Sequence, residues 1–174
     1  IQKLEEGYKI ITKEGEILTD YVIYTTGSSP KSLKMIENLG HKIVSPVPSL
    51  FTFNIKDNRI AALMGISAFA NVKVKNTKLE ASGPLLITHW GMSGPGILRL
   101  SAWGAKILAE KKYQFTIQVN WLNDSEFEET LDILKDLKLE HSKKVVSKKS
   151  PFEFQNRLWE KLVESSTISS ETKW

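Results

Sequence analysis

The residues with the greatest chemical potential lie together in the segment HWGMSGPG, residues 89–96, between an apolar strand pattern and an apolar helix pattern. Ser93 is of a type that caps helices, and Pro95 suits the first turn of the helix that follows. Backbone N–H groups left free at such a helix start can bind an anion or an oxyanion. A tight strand-to-helix turn, in which the glycines serve geometry alone, is the simpler interpretation, and the spacing by itself favours it.

Histidine supplies the best candidate for proton transfer. The chain has His41, His89 and His141, and none has a carboxylate beside it at metal-ligand spacing, so no metal site is predicted. His89 is the candidate acid or base, because it lies at a strand end beside the glycine-containing turn. A lone histidine in such a place is more often a hydrogen-bonded structural residue, and both roles stay open.

A second candidate is DYVIYTTG, residues 20–27. An apolar strand that ends in a small residue and Gly27 lets the backbone approach a flat cofactor closely, because no side chain intervenes. An ordinary turn explains the same pattern equally well. The sequence contains no Walker loop, nucleophile elbow or GxGxxG motif, so a phosphate-binding nucleotide fold is not complete within these residues.

The first part of the chain must position residues 20–27. Alternation around turn residues predicts an antiparallel hairpin with strands over 8–12 and 17–26. Ser29 and Pro30 predict the start of a short helix that ends at Gly40. Its apolar residues, which are expected to face inward, are Leu33, Ile36 and Leu39.

From residue 49 the hydrophobic period is two, which predicts strands over 50–56, 70–75, 83–88 and 113–121. Residues 96–111 are apolar on nearly all sides and predict a buried helix. The strands suit a small barrel or sandwich. In the last strand the residues expected to face the core are Tyr113, Phe115, Ile117, Val119 and Trp121.

The remaining sequence predicts helices. Ser125 and Glu128 fit a capping box before an apolar stripe, and residues 150–153 fit a second one. The second stripe consists of Phe154, Leu158 and Leu162, widened by Trp159 and Val163. The basic run 141–149 is interpreted as a solvated loop, because no aromatic residue is interleaved with its lysines. Residues 169–174 resemble the beginning of another helix.

Composition excludes several classes of protein. The chain has 174 residues, 41% of them hydrophobic, with a net charge of +4 and no cysteine. Intrinsic disorder, collagen, disulfide frameworks and thiol catalysis are excluded. No stretch approaches the roughly 20 uninterrupted apolar residues that span a bilayer. Interleaved charges indicate a solvated surface, so we expect no nucleic-acid or membrane partner. The chain begins at Ile1 without a signal-peptide pattern, and we expect an excised piece of a longer, cytoplasmic protein.

Three segments, in the same order along the chain, resemble a known family. Residues 20–27 resemble the D-x-apolar-apolar-x-A-T-G strand of two-dinucleotide-fold flavoproteins. Residues 39–43 and 46–50 resemble the GHxI and PxPxL segment of the aminoacetone-oxidase-like flavoproteins, also called the BaiN/YhiN-like group. Residues 86–98, LITHWGMSGPGIL, are similar to the signature LFTHxGxSGPxxL of that group. The third motif is long and the most specific.

The resemblance implies an α+β fold that is the insert of an NAD(P)/FAD-dependent oxidoreductase. A hairpin stub of the dinucleotide-binding domain over 1–48 would precede a translation-factor-like antiparallel β-barrel over 49–121 and a helical insert subdomain over 122–174. The barrel of the family receives a further strand after the helices, so the barrel is expected to be incomplete here. The family's A-T-G-G is TTGS in this sequence, and a short helix replaces the glycine-rich turn that often follows.

The resemblance also implies a site. In the parent protein His89 and the turn after it would face the flavin. The FAD-contacting residues would be Thr25, Thr26, Gly27, Ser28, Gly91, Ser93 and Gly94. The partner would be the rest of the FAD-binding domain of the same parent chain, with a small-molecule substrate that the resemblance does not identify. We expect the isolated fragment to bind no FAD and to be inactive. The alternative is a non-catalytic module, a small barrel plus helices, that binds a protein or a nucleic acid.

Overall fold

The computed structural model describes residues 1–123 and 125–174, which form two compact units, Ile1–Pro46 and Val47–Trp174. The first unit contains an antiparallel sheet in the order β1-β2-β3. Its strands are β1 (Gln2–Lys3), β2 (Tyr8–Ile11) and β3 (Glu16–Thr19). Ile10 pairs with Ile17 across the turn, so the predicted hairpin is confirmed.

The second strand of the hairpin is shorter than predicted. It ends at Thr19, and the strand expected over 20–26 is wrong. A strand is stabilised by its ladder of inter-strand hydrogen bonds, and within the described residues this segment has no neighbouring strand to pair with. Its apolar side chains are accordingly in solvent, with Tyr21 86% and Ile23 89% exposed.

The helix that follows, α1 (Pro30–Asn38), begins as predicted. The Ser29 hydroxyl accepts a hydrogen bond from the backbone N–H of Ser32 at 3.2 Å, which satisfies one of the free donors of the first turn. The Tyr24 hydroxyl donates to the carbonyl of Ser32 and ties the preceding segment to the helix. Past the helix end, Gly40 has a φ of +91°, a left-handed conformation that glycine adopts without strain.

The second unit contains a curled five-stranded sheet in the order β4-β7-β6-β5-β8, with every neighbouring pair antiparallel. Its strands are β4 (Phe53–Asn54), β5 (Ser67–Val74), β6 (Glu80–Thr88), β7 (Gly91–Ser93) and β8 (Ile117–Asn120). Alternate residues of β5 and β6 are fully buried on the concave face, including Val72, Leu85 and Ile87. Among the described residues no strand joins β4 to β8, so the barrel is open between them.

The apolar stretch 96–111 forms two helices, α3 (Pro95–Trp103) and α4 (Ala105–Glu110), rather than one buried helix. Gly104 separates them, and a Cβ there would collide with the Leu79 side chain and lie 2.8 Å from the Leu100 carbonyl. Leu100 is fully buried against the sheet, but Trp103 is 69% exposed. The prediction of burial on nearly all sides was therefore wrong for the outer face.

The β8 region has the predicted inward parity over part of its length. Phe115, Ile117, Val119 and Trp121 are half-buried and pack against the core. Tyr113 is the exception, since it lies in a turn with a φ of +58° and is 44% exposed. The prediction that Tyr113 faces the core was therefore wrong, because the strand itself begins only at Ile117.

A short helix, α2 (Asn58–Ala61), follows β4, and α5 (Phe127–Glu140) and α6 (Asn156–Ser165) complete the second unit. Both predicted capping boxes are wrong. The cap positions are Glu126 and Gln155, and neither makes a side-chain capping bond. The Ser150 hydroxyl instead accepts from the Phe152 N–H at 3.1 Å and stabilises a turn.

The second apolar stripe is confirmed for the four residues that lie on α6, whereas Phe154 precedes the helix. Leu158 belongs to the buried core that the sheet encloses, and Phe154 and Leu162 pack against it. Trp159 and Val163 form a smaller cluster with Val146, which is buried in a 3₁₀ helix over Val146–Lys148. Four half-buried residues pack against this smaller cluster: Leu134, Phe152, Phe154 and Trp174.

The basic run 141–149 is not a solvated loop throughout. The Trp159 indole N–H donates to the Val146 carbonyl at 2.7 Å, and the Ser147 hydroxyl donates to the Ser170 carbonyl at 3.0 Å. The last residues form no helix: Lys173 pairs with Val145 in an isolated antiparallel bridge, and the Trp174 ring stacks on Trp159. Within the described residues no helix has both the length and the apolar character needed to cross a membrane.

Candidate functional site

The candidate site is the turn between β6 and β7. Thr88 ends β6, Gly91 begins β7, and the two residues pair with each other, so that His89 and Trp90 form the tight connection between them. Both side chains of the connection are exposed to solvent. Their rings meet nearly edge to face, with centroids 4.2 Å apart and an interplanar angle of 78°. The turn therefore presents an imidazole and an indole as one unit.

Close backbone packing holds the turn in place. A Cβ on Gly91, where φ is +150°, would collide with the Phe53 carbonyl and lie 2.6 Å from the Ile55 nitrogen. A Cβ on Gly94 would lie 2.7 Å from the Pro84 carbonyl. Both positions therefore require glycine for the packing of the barrel alone. Contact of Gly91 and Gly94 with a cofactor stays a prediction.

Ser93 does not have the local role that its position suggested. It lies on β7, paired with Leu86, and the cap position of α3 is Gly94, which makes no side-chain capping bond. The prediction that Ser93 caps the helix was therefore wrong. The start of α3 packs against β6, since a Cβ on Gly96 would lie 3.3 Å from the Gly83 carbonyl. This packing supports the interpretation in which the glycines serve geometry.

Thr88 is a residue of the site that sequence reasoning missed. Its Oγ1 atom is shielded from solvent, and among the described residues it has no hydrogen-bond partner. Buried hydroxyl groups in folded proteins nearly always have a partner. The Thr88 hydroxyl, directly before His89, is thus a buried polar group whose hydrogen-bonding capacity is unmet among the described residues. The only sequence signal was the polar residue at the end of an apolar strand.

The other predicted cofactor residues lie in the first unit, in the loop before α1. Thr25, Thr26, Gly27 and Ser28 are all exposed. Gly27 has a φ of +71°, and a Cβ built on it would meet nothing within 4 Å. Contact of these four residues with a cofactor stays a prediction. Gly91 and Gly94 differ from Gly27, because their own barrel occupies the space beside them.

A cavity with a volume of about 630 Å³ lies in the opening between β4 and β8. Its lining combines apolar side chains, among them Leu63, Met92 and Val119, with polar ones that include Asp57 and Arg59. Arg59 donates to both carboxylate oxygens of Asp57, and this bonding lowers the pKa of Asp57. The pair is a surface interaction within one short helix start, which explains the shift without a ligand. Nothing in the sequence patterns indicated this cavity.

Metal chemistry has no support in the part of the chain that the structure describes, where no group of His, Asp and Glu side chains could hold a metal ion. His89 has no hydrogen bond or ion pair among the described residues, and its ring contact is with Trp90 alone. The arrangement presents an imidazole to solvent, where it can exchange a proton. Among the described residues, no carboxylate is hydrogen-bonded or ion-paired to that imidazole.

Comparison with known proteins gives one clear result. Curated proteins gave no match to this chain. The family model of the HI0933-like protein barrel and H2TH domain matches residues 47–174, which are the whole of the second structural unit. This domain is the insert region of the BaiN/YhiN-like flavoproteins, which agrees with the resemblance of the sequence motifs and with the open barrel and helices. The chain therefore belongs to the HI0933-like family, a flavoprotein family of the oxidoreductase type.

Proposed function

We propose that this chain is a middle portion of an FAD-dependent oxidoreductase, and that its β6–β7 turn borders the flavin and substrate site of the intact protein. The observation that carries the proposal is the exposed imidazole of His89 on the tight β6–β7 turn. The family association with FAD-binding flavoproteins supports the cofactor. The rest of the FAD-binding domain of the same parent chain is the proposed partner, and the substrate is a small molecule.

The residues have separate roles in this proposal. Bound FAD supplies the redox chemistry. The exposed backbone around Gly27, with Thr25, Thr26 and Ser28, approaches the cofactor, because no side chain stands in the way at Gly27.

His89 exchanges a proton with the substrate through its exposed ring. Gly91 and Gly94 hold the turn against the barrel, and Ser93 lies beside it on β7. None of these roles requires a metal. The chain described here is proposed to be inactive without the remainder of the FAD-binding domain, and the complete protein is proposed to act in the cytoplasm.

The experiment is to express the longer protein that contains this chain and to record its visible spectrum and its turnover per bound flavin. A yellow protein with flavin absorption is expected. His89→Gln should lower turnover roughly a hundredfold at unchanged flavin content, since general acid–base catalysis contributes about 10²–10⁴-fold.

The matched control is His141→Gln, which removes a histidine located at the end of α5. It should leave turnover unchanged. A colourless protein that reconstitution with FAD does not colour contradicts the proposal and favours a non-catalytic interaction module. Unchanged turnover in His89→Gln contradicts the role of His89 and leaves the flavoprotein assignment standing.

A further inference from the structure

The β6–β7 turn is built so that its two exposed side chains are presented from a fixed backbone. The Ile55 N–H donates to the Trp90 carbonyl at 2.8 Å. On the next residue, the absence of a Cβ allows Gly91 to lie against the Phe53 carbonyl. The backbone of Trp90 is thus held by the segment 53–55 on one side and by the β6–β7 ladder on the other.

The side chain of Trp90 makes its described aromatic contact with the neighbouring residue, His89. It is 44% exposed and belongs to neither buried cluster of the second unit. Its described ring contact is with His89, edge to face at 4.2 Å. The indole therefore contacts the one titratable ring of the turn and is not held in place by core packing.

His89 lacks the usual device that orients an imidazole. Histidines that transfer protons are commonly held by a hydrogen bond from one ring nitrogen to a carboxylate or a carbonyl. Among residues 1–123 and 125–174 the His89 ring makes no such bond, and its ring–ring contact is with Trp90. Without that contact, an exposed histidine samples several rotamers.

We infer that Trp90 is a positioning residue, whose indole holds the imidazole of His89 in one orientation toward the substrate. This inference rests on the proposed function of His89 and adds the residue that makes its geometry reproducible. The orienting group is an aromatic ring on a residue whose backbone is fixed through its own carbonyl. It leaves both ring nitrogens of His89 free for the substrate.

The first test uses the chain described here and detects the ring contact without any activity. Only three histidines contribute to the imidazole region of a ¹H–¹³C spectrum, and His89→Gln identifies the signal of His89. Trp90→Ala should shift the His89 signal and leave those of His41 and His141 in place, because the ring current of the indole is lost. Trp90→Phe should retain most of the original shift.

The matched control is Trp103→Ala. Trp103 is more exposed than Trp90 and lies on α3, where Arg99 rather than a histidine contacts its ring. The control should leave all three histidine signals unchanged. A His89 signal that does not move in Trp90→Ala overturns the inference, and so does one that moves equally in Trp103→Ala.

The second test uses the longer flavoprotein and measures turnover per bound flavin. Trp90→Ala should lower turnover by roughly 10–100-fold at constant flavin content, the size of effect that a small misplacement of a reacting group produces. Trp90→Phe should recover most of that loss, which a merely structural role in the turn does not predict. Equal losses in Trp90→Ala and Trp90→Phe overturn the inference.

The two tests separate this inference from the proposed function. If His89→Gln lowers turnover and Trp90→Ala does not, the role of His89 stands and the positioning role of Trp90 is overturned. If His89→Gln leaves turnover unchanged, the proposed role of His89 fails, and the positioning role in catalysis fails with it. The spectrum then still reports whether the two rings are in contact.

Discussion

The glycine at position 91 has two possible explanations, cofactor contact and tight backbone packing, and the structure distinguishes between them. From the sequence, its place in a glycine-containing turn before a helix was compatible with cofactor contact and with tight packing. The structure places the Phe53 carbonyl and the Ile55 nitrogen where its side chain would be. The need for glycine is thereby explained within the barrel. Thr88 is the opposite case, because its buried hydroxyl becomes visible as an unmet polar group only after its surroundings are known.

Gly91→Ala is expected to lower the free energy of unfolding of the second unit by about 3 kcal/mol or more, because the new methyl group displaces β4 from β7. Gly65→Ala is the matched control. Gly65 also has a positive φ, +86°, but a Cβ there meets nothing within 4 Å. It should lose only about 1–2 kcal/mol, the cost of the left-handed conformation. Urea unfolding measures both, and equal losses would contradict the packing explanation.

Strand faces were more predictable from the sequence than helix starts. The inward-facing residues of β5 follow from the two-residue period over the predicted part of the strand, where Val72 and Val74 are fully buried. Phe69, before that part, is 56% exposed. Helix starts are harder to predict, because the hydroxyl of a serine can bond either to the backbone of a helix start or to the backbone of a turn. The Ser150 hydroxyl could cap a helix or close a turn, and it bonds to Phe152 in a turn. The capping-box pattern of residues 150–153 does not determine which of these two hydrogen bonds forms.

At the β8 edge, Phe115→Ala is expected to lower the free energy of unfolding by about 1–3 kcal/mol, less than the roughly 3–5 kcal/mol lost on truncating a fully packed phenylalanine. The ring is half-buried and meets Phe53 edge to face, with centroids 5.1 Å apart. Thr116→Ala, one residue on and exposed, serves as the control and should change stability by less than about 0.5 kcal/mol. Chemical denaturation provides the comparison. If Thr116→Ala lowered the free energy of unfolding as much as Phe115→Ala, the assignment of Phe115 to the inner face and Thr116 to the outer face would be wrong.

For the chain taken as one piece, the motifs of residues 39–50 and 86–98 identified the family, and the match over residues 47–174 confirms it. The opening between β4 and β8 followed from the resemblance and is present in the sheet order. The cavity in that opening was not foreseen, because its walls come from segments far apart in sequence. Pairing of this kind depends on long-range packing that local periodicity does not contain. The division of the chain at residues 48 and 121 stays a prediction.

This chain alone is expected to bind no FAD, because it contains no glycine-rich loop at a helix start to hold a pyrophosphate. Titration of FAD with the chain, followed by flavin fluorescence, should show no saturable quenching. The longer protein that contains the chain serves as the positive control and should retain flavin through purification. Saturable quenching in the micromolar range by the chain alone would contradict the prediction.

The stacked rings of Trp159 and Trp174 give the helical part of the molecule an optical signature. Their centroids are 6.2 Å apart and their planes differ by 14°, while Trp159 is only 8% exposed. Two indoles at this separation couple their electronic transitions, so the pair should produce a paired positive and negative band in circular dichroism. Trp174 directly follows Lys173, which forms the bridge with Val145. Loss of the circular dichroism signal on heating should therefore report the opening of this bridge separately from the unfolding of the barrel.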